Sequence, residues 1–74
     1  MGQFVVHIVA PAYVKRPDKP PVAVIYEGDY YADAIDKAYE AQKNPQYKGQ
    51  VLRFFNFSLF GGGMKDTPIT GLSA

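Results

Sequence analysis

The stretch from Val51 to Phe60 holds seven large apolar residues in ten and four of the five phenylalanines of the chain. Neither Pro nor Gly interrupts it, and a run so rich in aromatic residues is expected to be a β-strand. Side chains alternate across a strand, so Val51, Arg53, Phe55, Phe57 and Leu59 share one side and Leu52, Phe54, Asn56, Ser58 and Phe60 the other. Both sides are largely apolar. A sheet in a chain of 74 residues can cover one face with its own helix, and the second apolar face then needs something else against it.

The length implies one domain with a thin core, because chains of this size bury only about 60% of the surface their unfolded form exposes. Disulfides, metals or association commonly add stability to such domains. With no Cys and one His, association is the support left, and the missing Cys fits a reducing compartment. No basic segment followed by an apolar run opens the sequence, and no apolar stretch approaches the roughly 18 residues of a membrane span. A soluble, cytoplasmic protein without a membrane partner is expected. Eight Lys and Arg against seven Asp and Glu give a net charge of +1, which supplies no strong field for polyanions. Six tyrosines suit positions buried at one end and wet at the other, as at interfaces.

Along the chain, Gln3 to Ala10 reads as a first, nearly all-apolar strand, ended by Pro11. Lys15 to Pro21 is a basic, proline-stiffened loop. Its Pro17 and Pro20 have the spacing of a polyproline ligand, but Val14 and Val22 stand where a docking cation is wanted. Val22 to Tyr26 is a second strand, followed by a turn at Glu27-Gly28-Asp29. Tyr31, Ile35, Ala38 and Gln42 then recur at helical spacing. Asp29 is the expected N-cap, Asp33 the expected ion-pair partner of Lys37, and Asn44-Pro45 the stop. Gly61, Gly62 and Gly63 end the aromatic strand.

Two strands joined by a short loop pair antiparallel, and a strand-helix-strand crossover is right-handed. The expected architecture is therefore α+β: a single ββαβ layer with an antiparallel three-stranded sheet of order 2-1-3 and one helix on one face. Order 1-2-3, with a parallel pair, is the alternative. Residues 1–63 would form the domain and residues 64–74 a flexible or edge-packed tail.

No chemical motif survives inspection. Lys48-Gly49-Gln50-Val51-Leu52 places Gln50 and Leu52 where RNA-recognition strands carry aromatics. His7 lacks companions at metal-ligand or catalytic spacing. The triple glycine has no Lys-Ser/Thr pair behind it, as a phosphate loop requires. Asn56-Phe57-Ser58 matches a glycosylation acceptor in letters, but within a strand. No enzyme, cofactor or metal is expected. The expectation is a small protein-binding module, a regulator or inhibitor that occupies a partner protein or pairs with itself as a homodimer. Its contact residues would be Arg53, Phe55, Phe57, Leu59, Tyr26, Lys15 and Arg16. The alternative is single-stranded nucleic-acid binding through the aromatic strand and the basic loop.

Overall fold

Strand-forming segments on both sides of one amphipathic helix build a sheet with that helix across one face. In the computed structural model, which describes residues 2–16, 18–58 and 62–71, the elements are β1 (Phe4–Val9), β2 (Ala23–Gly28), α1 (Tyr31–Lys43), β3 (Val51–Asn56) and β4 (Gly63–Pro68). All strand pairs are antiparallel and the spatial order is β2-β1-β3-β4.

The fourth strand corrects the expected three-stranded ββαβ layer. Gly63 reads as the end of the domain and residues 64–74 as a flexible or edge-packed tail, because Met-Lys-Asp-Thr-Pro has little intrinsic strand preference. Tertiary context overrides that preference. The outer edge of β3 offers a row of N–H and C=O groups that must find partners, and β4 supplies them from Val51↔Pro68 to Asn56↔Gly63. With β1 on one side and β4 on the other, β3 has no free edge between Val51 and Asn56. The backbone edge of β3 from Val51 to Asn56 is thereby taken within the chain.

Cross-strand register sorts the side chains into two faces. Phe4, Val6 and Ile8 lie opposite Asn56, Phe54 and Leu52 on the helix side. Val6 and Ile8 are fully buried there, and Phe4 and Leu52 nearly so. The helix meets them with Ala34, Ala38 and Ala41, small residues that let its backbone lie close to the sheet. Tyr31 packs its ring edge on Phe4 and Phe54, with centroids 5.5 and 6.2 Å away.

A β-bulge decides which face β2 shows. The register shifts between Val6 and His7, so Tyr26 pairs with Val6 while Val24, two residues earlier, pairs with His7. Without the bulge, Val24 and Tyr26 would share a side. The extra residue, Ile25, turns Tyr26 to the helix side, where both pack against the core. The Tyr26 ring then crosses Gly28, where a Cβ would stand 2.5 Å from its hydroxyl. That hydroxyl accepts a hydrogen bond from Tyr30 N at 3.2 Å.

The helix ends differ from expectation in two details. Tyr30 occupies the N-cap position with no side-chain cap, and Asp29 instead accepts from Gln3 N at 3.1 Å, tying the helix entry to the start of β1. Lys37 pairs with Glu40 at 3.7 Å, on the exposed side. The helix stops at Asn44, which is extended before Pro45, with its side chain accepting from Gln46 N. Beyond β4 the chain passes under this end. Ile69 is buried at 3% exposure, and Gly71, at φ +71°, donates its N–H to Gln42 O at 3.1 Å.

One helix is about 10 Å wide and strands lie about 4.8 Å apart, so a single helix cannot cover four strands. It lies over β1, β2 and β3. A groove of about 280 Å³ remains between it and β4, lined by Tyr31, Ile35, Tyr39, Phe54 and Lys65 among others.

Because Ala34 is at 0% exposure, Ala34→Leu is expected to lower unfolding stability by about 1–3 kcal/mol through overpacking. Urea denaturation checks this, and an unchanged midpoint would mean that the helix leaves room for a larger side chain at Ala34.

Candidate binding face

The side of the sheet turned away from the helix is built from three cross-strand rows. The first runs Glu27, Val5, Phe55, Met64; the second Val24, His7, Arg53, Asp66; the third Val9, Val51, Pro68. The face is apolar except for Glu27 at one edge and a central band of charge. Val24 and Met64 are each 55% exposed and Phe57, just beyond β3, is 60% exposed.

The rings on this face touch one another. His7 meets Phe55 edge to face, with centroids 5.2 Å apart and planes at 72°. Phe55 and Phe57 stack at 5.6 Å with planes 10° apart, since residues two apart on a strand project to the same side. The result is a ladder of three rings whose outermost member is open to solvent.

Arg53 occupies the centre and is only 7% exposed. A lone guanidinium could not be stable there, and it is not alone. Its Nε and Nη2 donate to the two carboxylate oxygens of Asp66 at 2.8 and 3.0 Å, the bidentate fork that arginine geometry favours. Nη2 also donates to the Val14 carbonyl at 2.7 Å. The hydrogen bonds from Arg53 hold Asp66 below the usual carboxylate range, and the same contact raises the guanidinium further. Arg53 thus joins β3, β4 and the β1–β2 loop.

That loop curls over the face. Ala10 leads into a 3₁₀ turn at Pro11–Tyr13, Tyr13 N donates to Ala10 O and Arg16 N to Tyr13 O, and Val22 N returns to Ile8 O at 2.7 Å. Between loop and sheet lies a groove of about 510 Å³. Val9, Phe55 and Met64 supply its apolar floor with His7. Tyr13, Lys15, Arg16 and Lys19 line the loop side. Lys19 places its ammonium 5.7 Å from the Tyr13 ring centroid, and Arg16 makes an exposed pair with Asp18 at 3.3 Å.

The environment of His7 favours its neutral form. Burial lowers its pKa, Glu27 opposes that and Arg53 adds to it. Among the described residues no group of three or more His, Cys, Asp or Glu side chains is placed to hold a metal ion, and no helix is long and apolar enough to cross a membrane.

Of the residues the sequence singled out, Arg53, Phe55, Lys15 and Arg16 come together around this groove, and Phe57 extends it through its stack on Phe55. Tyr26 is not on this face, because the bulge sends it to the helix side. Leu59 lies outside the described residues. Sequence reasoning missed Asp66, Val14, Tyr13, Met64 and Lys19 as parts of the site. Asp66 and Met64 belong to a strand that composition did not reveal. Val14 follows only from the need of a buried Arg53 for acceptors, whereas Lys19 lies in the basic loop that the sequence already marked.

Replacing Arg53 with Ala should strand Asp66 and release Val14, lowering stability by about 2–4 kcal/mol. Arg53→Lys should recover only part of it, because an ammonium cannot reproduce the fork. Thermal melts give the loss, and amide exchange in residues 13–16 should quicken in both variants; unchanged exchange would show that Arg53 does not hold the loop.

A second expectation concerns pH. The folded state keeps His7 neutral more strongly than the unfolded chain does, so the unfolded chain takes up the proton first as pH falls. Stability is therefore full above about pH 6.5 and declines as pH drops from there through the lower folded pKa. His7→Phe should flatten this part of a melting-temperature profile, while the decline at lower pH, where Asp66 is protonated, should persist.

No protein-family model, no curated protein and no solved structure matches this chain, so the chemistry of the face itself carries the functional reading.

Proposed function

We propose that this chain is a non-enzymatic binding module, a regulator or inhibitor that acts by seating a partner protein on the open face of its sheet. One observation carries the reading: exposed Val24, Phe57 and Met64 share with the half-buried Phe55 a face that the helix does not cover. Apolar and aromatic groups gathered on one side of a slab 32 × 30 × 17 Å are the signature of an interaction surface. Arg53 supports it too. A charge in the middle of a docking face is costly to desolvate, but this one is already paired with Asp66 inside the protein. Face-to-face stacking of two copies is open on the same ground, and a second copy is one form the partner can take.

The His7–Phe55–Phe57 ladder beside Lys15 and Arg16 favours a second reading, single-stranded nucleic acid stacked on the rings. The net charge of +1 weighs against it, since such binding draws most of its affinity from phosphate contacts.

A photo-crosslinking amino acid placed at Phe57 should yield protein adducts in cells that make this chain, or crosslinked dimers of purified protein. The same group at Tyr39, exposed on the helix side, should not yield those adducts. Nucleic-acid adducts from Phe57, with no protein adduct, would overturn the first reading in favour of the second.

A further inference from the structure

The open-face groove is not symmetric in charge, and the asymmetry indicates what fits it. Arg53, which lines it, is paired with Asp66, and Asp18 in the loop is paired with Arg16. No ion pair involves Lys15 or Lys19 among the described residues. The loop side therefore carries surplus positive charge over a floor of Val9, Phe55 and Met64. The His7 ring, whose neutral form burial favours, completes that floor. A volume of about 510 Å³ accommodates one large side chain with its flanking main chain.

We propose that the groove beneath the β1–β2 loop binds an acidic peptide segment with one aromatic or large aliphatic side chain. That side chain seats on Val9, Phe55 and Met64, and the flanking carboxylates meet Lys15 and Lys19. This rests on the protein-binding reading above and narrows it to one chemistry of partner. The site is preorganised: Arg53 holds the loop by Val14 O, and Pro20 and Pro21 stiffen its return, so little ordering is needed on binding.

Placement of the cations favours a peptide over a nucleic-acid strand. They sit together at the end of the sheet where β1 runs into its loop, whereas the stack continues from Phe55 to Phe57 toward the opposite end, where Glu27 shares a row with Val5 and Phe55. A strand stacked along both rings would leave the lysines behind and pass a carboxylate. A compact acidic segment needs only the groove.

The test is fluorescence anisotropy on the full chain at low and physiological salt. Its probes are a short labelled peptide of Asp and Glu around a central tryptophan, the same peptide with Asn and Gln for the acids, the same with glycine for the tryptophan, and labelled oligo-uridine. Saturable binding of the first is expected, with affinity lower by about tenfold or more for each altered peptide. The double variant Lys15→Glu/Lys19→Glu should cost a similar factor, and Phe57→Ala less. Both lysines are exposed, and an unchanged melting temperature establishes that the double variant folds. Equal peptide affinity in the charge-reversed variant, or tighter binding of oligo-uridine, would overturn the proposal. If the acidic peptide does not bind while Phe57 still crosslinks to protein, the groove chemistry falls and the open-face reading stands.

Discussion

The contact of Arg53 with Asp66 and Val14 is the interaction on which the rest of the open face depends. A guanidinium at the centre of an apolar sheet is unstable unless its donors are satisfied, and the two acceptors come from parts of the chain distant in sequence: a carboxylate on β4 and a carbonyl in the β1–β2 loop. Satisfying Arg53 thus brings a weakly strand-forming segment to the edge of β3 and folds a long loop over the sheet. The groove is a by-product of that arrangement. Its floor is set by strand alternation and its roof by where one arginine finds its acceptors.

The two faces solve different problems. Under the helix, Ala34, Ala38 and Ala41 permit close approach, and Val6, Ile8 and Leu52 are sealed in. The apolar side chains there hold the fold together. On the other side, the loop covers Val9 and Arg53 yet leaves Val24, Phe57 and Met64 in water. Exposed aromatic and aliphatic side chains there do little for the stability of the folded chain, which makes recognition the better account of that face.

The sequence was most informative where local preference and tertiary demand agree. The α1 segment follows from its helical spacing and the Asn44-Pro45 stop, and β3 from a run of aromatics without breakers. It was least informative where they conflict. Little in Met64-Lys65-Asp66-Thr67 favours a strand until the unpaired edge of β3 and the unpaired charge of Arg53 are both known to be beside it. The bulge at Ile25 is equally silent: alternation alone keeps Tyr26 beside Val24, and one inserted residue moves it to the core. Four residues chosen from the sequence nonetheless meet at the groove, because strand alternation placed Arg53 with Phe55 and a basic loop following β1 had to lie near that end of the sheet.

The position of β1 bears on how this chain reaches its native state. Phe4 to Val9 leaves the ribosome before both of its neighbours in the sheet, β2 and β3, and the seal under the helix end comes from Ile69 and Gly71, far along the sequence. Most native contacts therefore join distant segments, a topology associated with slow, late-closing folding. During synthesis the apolar β1 segment waits for its second neighbour until β3 emerges, a period in which chaperones or unwanted associations can compete for it.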